Sequence, residues 1–201
     1  MNKTAIQIVE KPDWVSWDDI KQCLYEAHAP NREKGINMTR YQWPANKIKE
    51  YVETKGYMLV AMRDEMVIGT AAIVEKVGKK WYATGHYASI CFDSVKTGYI
   101  GLGVFKKLDT KREEIARKHN LNILVFDTNV ENIHRQEIAI RNGYRYVSYT
   151  HPNDHYNVVM AKWLDGCPFS SYYCMFRFYW SKVKLIAYIN LSKFKDLVLD
   201  R

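Results

Sequence analysis

Cysteine is scarce in this chain: Cys23, Cys91, Cys167 and Cys174 are the whole set, with no CxxC pair and no zinc-type spacing. That argues against a disulfide scaffold and leaves reduced core or surface thiols with no chemistry of their own. No basic stretch followed by an apolar one opens the sequence, and no apolar run approaches the length of a membrane span, so a cytoplasmic protein is expected. Low-complexity tracts, internal repeats and an interdomain linker are also missing. What is present is 201 residues with 47% hydrophobic content, enough for one globular domain with a real core and a short appendage. The net charge of +8 favours an anionic partner without saying which.

The periodicity supplies an order of elements. Thr4 to Val9 alternates as a first strand, and Pro12 ends it. Ser16 stands as an N-cap before Ile20, Leu24 and Ala27 on one helical face, and the run stops at Pro30 and Gly35. A second helix starts at Pro44, carries Ile48, Tyr51 and Val52 on one side, and stops at Gly56. Residues 57–77 read as two strands about a turn at Arg63 to Glu65, and a further strand follows a turn at Gly78. After Gly103 the period switches to that of a helix, with Val104, Phe105, Leu108, Ile115 and Ala116 on the apolar side. Lys106, Lys107, Lys111 and Arg112, interspersed with Asp109, Glu113 and Glu114, read as its solvated face, so no nucleic acid is expected. A short apolar strand (121–128) comes next. A helix from near Asn132 ends at Asn142 and Gly143, and a hairpin across residues 151–154 closes the sheet.

The stretch Gly98-Tyr99-Ile100-Gly101-Leu102-Gly103 lies at a strand-to-helix turn, where glycines let backbone N–H groups face an anion. It lacks the lysine and hydroxyl of GxxxxGK[ST], and Lys106 stands where the third glycine of GxGxxG belongs. What remains is a GxxGxG turn opening a basic helix, whose N-terminus suits a pyrophosphate. His151 and His155 lack a third ligand at a useful spacing, so they read as a solvated turn and no metal is expected.

The stretch from Ala88 to Leu164 resembles the GNAT superfamily of N-acetyltransferases. That family has an acyl-CoA loop of the form [Q/R]-x-x-G-x-[G/A] between its fourth strand and third helix, here Gly98 to Gly103. It also has an asparagine followed eleven positions later by Gly-Phe or Gly-Tyr, here Asn132 and Gly143-Tyr144. The resemblance implies an α/β fold, a mixed and mostly antiparallel sheet flanked by helices. It further implies an acetyl-CoA-dependent enzyme that transfers the acetyl group directly to a primary amine in a ternary complex. Residues 1–166 would form the acyltransferase domain. Ser89, Ile90, Cys91 and Phe92 would meet the pantetheine arm and the thioester carbonyl, and Gly98, Tyr99, Ile100, Gly101, Leu102, Gly103, Val104 and Asn132 would complete the CoA site. The pyrophosphate would take N–H groups from Tyr99 to Val104.

Two departures stand out. Gly98 replaces the usual Gln or Arg, and Ala139 replaces a tyrosine placed to protonate the leaving thiolate. Ala139→Tyr is therefore expected to raise turnover, and a non-catalytic acyl-CoA-binding or regulatory module stands as the alternative. An amine arrives as ammonium and needs a base, for which Glu75, His86 and Asp93 are the candidates. Trp14, Trp17, Tyr41, Trp43 and Trp81 fall in the half that lines the acceptor side of such folds, leaving an amino sugar, an amino acid or a protein amine open. Residues 167–201 form a separate aromatic and basic helix. Its apolar arc holds Tyr172, Phe176, Tyr179, Trp180, Val183, Ile186 and Ala187, with Arg177, Ser181 and Lys184 opposite. Such an arc is expected to pack on the parent domain or a homodimer partner, with peripheral membrane contact through 168–201 as the other destination.

Overall fold

The computed structural model describes residues 5–36, 39–151 and 156–199, with side chains set aside at 39 and 188–199. Contacts divide the chain into two compact units, Met1–Leu124 and Val125–Arg201.

In the first unit β1 (Gln7–Glu10), β2 (Gly56–Arg63), β3 (Met66–Lys80) and β4 (Ala83–Val95) lie side by side in that order, each antiparallel to the next. Thr4 lies outside the described residues. Between β1 and β2 come α1 (Trp17–Ala27), the short α2 (Ala29–Glu33) and α3 (Ala45–Glu53). Ser16 caps α1 as expected: its Oγ accepts the Asp19 N–H at 3.1 Å while the Asp19 carboxylate accepts the Ser16 N–H at 2.9 Å. Ile20, Cys23 and Leu24 of α1 and Ile48 and Val52 of α3 pack with Val60, Val74 and Phe92 in one core. α4 (Val104–Lys118) buries Val104, Leu108, Ile115 and Ala116. Gly69 brings α4 close to β3, since a Cβ there would meet the Ser94 carbonyl at 2.9 Å and Val104 at 3.3 Å.

Three local expectations need correction. Gly56 does not stop α3, whose C-cap is Thr54; it is the first residue of β2, where a Cβ would run into the Ile73 carbonyl at 2.4 Å. Gly78 lies inside β3 opposite Gly85, and the reversal into β4 comes at Trp81 and Tyr82. The helix face assigned to solvent carries two buried charges, Arg112 and Asp109. The β2–β3 turn is as read: Asp64 and Glu65 take φ of 49° and 63°, the left-handed pair that a two-residue hairpin requires.

The second unit takes β5 (Ile123–Asn129) at its start, then α5 (Ile133–Arg141), β6 (Arg145–Thr150), β7 (Asn157–Trp163) and α6 (Ser171–Leu199), with strand order β5–β7–β6. β6 and β7 pair antiparallel from Arg145↔Ala161 to Thr150↔Asn157. The turn expected between them lies outside the described residues. Gly143, at φ 87°, ends α5 as expected.

α6 packs on β6, and not through the arc expected to be buried. Cys174, Phe178, Ser181 and Leu185 form the inward stripe. Phe178 lies 5.1 Å from the ring of Tyr146 and 5.6 Å from that of Tyr149, and Ser181 Oγ accepts the Tyr149 N–H at 2.8 Å. Two small residues in this stripe let the helix settle against a strand whose own tyrosines supply the bulk.

Candidate functional site

The glycine turn closes on itself through three of its own N–H groups. Tyr99 donates to Lys96 O at 2.9 Å, Ile100 to Thr97 O at 3.3 Å and Leu102 to Tyr99 O at 3.4 Å. The expectation that Tyr99 to Val104 all face a pyrophosphate is corrected accordingly, because Tyr99, Ile100 and Leu102 spend their donors on the turn. Gly101 and Gly103 donate to no acceptor among the described residues. They sit at φ 86° and 72°, with open space where each Cβ would be. Gly103 is also the N-cap of α4 and offers no side-chain acceptor to the first turn, whose N–H groups lie ahead of the helical ladder. Lys106 and Lys107 are exposed on that turn. Gly98 adds no side chain, in keeping with its departure from the family pattern.

β4 is bulged just ahead of this turn. Thr70 of β3 pairs with Ser94 and Ala72 with Cys91, so β4 carries one extra residue, and Phe92 holds a left-handed φ of 55° while fully buried. A phenylalanine pays for that backbone only when its surroundings hold it there. Thr70 Oγ1 donates to the Phe92 carbonyl at 2.7 Å, and His28 Nε2 donates to the Asp93 carbonyl at 3.0 Å. Arg112, with no exposed surface, ion-pairs with the Asp93 carboxylate and with that of Asp109. Asp93 is therefore bound into a buried charge cluster that pins the bulge, and its carboxylate does not stand open as a base. Ser89 and Ile90 pair with Val74 and Ile73 below the bulge. Burial pushes the Cys91 thiol up to about 12 and the Cys23 thiol up to about 11, so both stay protonated and inert.

The other two base candidates meet. Glu75 on β3 and His86 on β4 are diagonal neighbours, and Glu75 Oε1 accepts from His86 Nδ1 in a short contact with both side chains exposed. An ionised carboxylate only accepts, so Nδ1 carries the proton and a neutral ring keeps its lone pair on Nε2. Glu75 also lines a cleft of about 360 Å³ with Trp43, Lys47, Tyr51 and Lys76. Trp43 and Tyr51 meet at 5.5 Å and both touch the ring of Phe92, at 6.1 and 6.0 Å, which connects the cleft wall to the bulge. Tyr41 joins this cluster through Phe92 at 6.4 Å and stacks on His28 at 3.9 Å. Trp14 is exposed and Trp81 packs on Tyr82 in the hairpin turn, so these two stand apart from it, whereas Trp17, bonded to Glu53, packs against the same core as Tyr41, Trp43 and Tyr51.

Sequence reasoning missed His28, Thr70 and Arg112. For Arg112 a signal exists: it falls on the apolar stripe Val104, Leu108, Ile115 of α4, where a charge must be paired. His28 is held neutral by burial, which lowers it to about 4, and its Nδ1 accepts from Asn31 Nδ2 at 3.2 Å.

In the second unit Asn132 is the N-cap of α5, its Oδ1 accepting the Arg135 N–H at 3.2 Å. Ala139 is fully buried on the inward face of α5. His151 packs against Tyr156 at 4.5 Å, and His155 lies outside the described residues.

No protein-family model and no curated protein matches the chain. Solved structures do. A GNAT-family acetyltransferase from Staphylococcus aureus aligns at a TM-score of 0.63 and 18% identity, covering 80% of this chain and 99% of that one. A GNAT-family acetyltransferase from Streptococcus agalactiae aligns at 0.64 and 18%, covering 79% and 95%. The PaiA N-acetyltransferase of Thermoplasma acidophilum, solved with coenzyme A, aligns at 0.59 and 16%, covering 79% and 99%. The chain has the GNAT fold, a mixed and mostly antiparallel α/β arrangement.

Proposed function

We propose that the protein is an acyl-CoA-dependent N-acyltransferase, using acetyl-CoA and a primary amine. The observation that carries this is the pairing of an outward-facing Gly101–Gly103 turn at the uncapped start of α4 with a pinned bulge in the strand that leads into it. Coenzyme A bound to a fold neighbour supports the same ligand class. The turn suits the group: two glycine N–H donors, a helix dipole and room for close approach fit a pyrophosphate.

Acetyl-CoA would supply the activated thioester. Gly101, Gly103 and the first turn of α4 would hold its phosphates, with Lys106 and Lys107 adding attraction. The acceptor would enter the cleft between α3 and β3, where Trp43 and Tyr51 give it an apolar wall. His86, oriented by Glu75, would take the ammonium proton at Nε2 so that a neutral amine attacks. Three lysines (Lys47, Lys55, Lys76) against Glu50 and Glu75 on the cleft wall favour an acceptor that carries an acidic group beside its amine. Transfer within one ternary complex needs no covalent enzyme intermediate, consistent with the inert Cys91.

The alternative of a non-catalytic acyl-CoA-binding module draws on Ala139, which leaves α5 without the family's tyrosine. One experiment separates them: an amine screen that follows CoA release from acetyl-CoA, run beside thermal protection by CoA. Release with one acceptor class supports the enzyme; protection with no release across all classes favours the binding module; neither response refutes both.

A further inference from the structure

We propose that α6 docks the protein on an anionic lipid surface, lying in the plane of the interface. The outward side of this helix is what the sheet leaves uncovered. With 100° per residue and the β6-facing stripe at its centre, Met175, Ile186, Tyr179, Tyr172, Val183, Phe176, Ala187, Trp180 and Tyr173 fill an arc of about 160° pointing away from β6. Tyr172 is 82% exposed, Phe176 62% and Trp180 48%. No charged side chain falls within the arc. Charges appear at its two edges: Lys182 on one, Lys184 and Arg177 on the other.

That distribution decides between occupants. Residues 166–195 contain five Lys or Arg and no Asp or Glu. Were a second copy to cover the arc by isologous pairing, the lysines on both edges would be brought beside one another with a single acid on this helix, Asp196 beyond the arc, to meet them. A bilayer with anionic headgroups satisfies both parts at once. Aromatic and aliphatic side chains enter at the headgroup boundary, and lysines at each edge reach phosphates. Among the described residues no helix is long and apolar enough to cross a membrane, so α6 would lie on the bilayer. Its opposite face remains held by Phe178 and Ser181 on β6, which makes the arc a fixed part of the folded protein.

The test is flotation of the full-length protein with phosphatidylcholine–phosphatidylglycerol vesicles and with phosphatidylcholine alone. Binding should be confined to the anionic vesicles and should weaken with added salt. Lys182→Gln with Lys184→Gln should lower the anionic-vesicle affinity about 25-fold, about fivefold per lysine. Phe176→Ser with Trp180→Ser should abolish it. All four positions are exposed, and circular dichroism and melting should confirm that both double variants are folded. Absence of flotation with anionic vesicles overturns the proposal, as does binding that both double variants retain. A dimer in sedimentation equilibrium that Phe176→Ser with Trp180→Ser dissolves, without any vesicle binding, would overturn it in favour of a second copy.

Discussion

Replacing Gly101 separates a backbone cost from a ligand cost, because the protein itself leaves room at that position. Nothing lies within 4 Å of the Cβ that a side chain would add, and φ is 86°. Gly101→Ala should therefore cost folding only its backbone strain, about 1–2 kcal/mol, or about 2–8 °C in melting temperature for a chain of this size. Gly35 offers the control: φ is 70°, and again nothing lies within 4 Å. Gly35→Ala should lower the melting temperature to a similar degree and leave CoA binding as it was. At Gly101 the new methyl stands where a phosphate must approach, and a carboxylate adds repulsion. Two like charges about 4 Å apart repel by about 1 kcal/mol in bulk water and about 4 kcal/mol at a protein surface. Gly101→Asp should thus weaken CoA by about 2–4 kcal/mol, a loss of about 30- to 1,000-fold in calorimetry. Gly101→Ala should fall between this and the wild type. Wild-type affinity in a folded Gly101→Asp protein would refute the anion assignment and with it the reading of α4 as a phosphate site.

With the acceptor that the amine screen identifies, His86→Ala should lower kcat by about 10²- to 10⁴-fold and leave CoA affinity unchanged in calorimetry. Asp93→Asn should instead lower the melting temperature, because it opens the buried pair with Arg112; the reverse pattern would move the base to Asp93. His28 titrates at about 4 in the folded protein and near 6.5 unfolded, so its contribution is present above pH 6.5 and is lost as pH falls toward 4. Denaturant titrations should show up to about 3 kcal/mol of that loss, and a His28→Gln protein with an equally steep decline would show that another group is responsible. Ala139→Tyr, first expected to raise turnover, should now cost about 1–3 kcal/mol by overpacking the inward face of α5. Differential scanning calorimetry checks it: an unchanged melting temperature with faster turnover would restore the first expectation.

The elements were legible where chemistry is local. Ser16 with Asp19, the Asp64–Glu65 turn, and Gly143 after α5 each act within a few residues, so the chain announces them. Glycines were misread where their role is set by a neighbouring strand. Gly56 and Gly78 look like stops, yet each sits in a strand because a carbonyl from the neighbouring strand or turn leaves no space for a Cβ. α6 failed for a related reason. Its widest apolar arc was taken for the buried one, but β6 already presents Tyr146 and Tyr149 and needs a stripe that includes small residues to receive them.

The bulge at Phe92 was the least legible part, and it is the part on which the proposed chemistry depends. Nothing in Ser89 to Ser94 marks the left-handed residue, since a phenylalanine there is expected to extend. The conformation is imposed from three distant places: a hydroxyl on β3, an imidazole between α1 and α2, and a guanidinium on α4. Each takes a group that the extra residue would otherwise leave without a partner. Thr70 and His28 serve the carbonyls of Phe92 and Asp93, and Arg112 serves the carboxylate. A pattern whose members lie up to 84 positions apart, from His28 to Arg112, cannot be read as a motif. One of its members can still be found without a structure. Arg112 occupies an apolar-stripe position of an amphipathic helix, and a buried guanidinium is tolerated only beside carboxylates that hold it. Asp109 lies one helical turn away and supplies the first. The second must come from a strand that the helix covers, and Asp93, on the strand leading into the glycine turn, is the acid in reach.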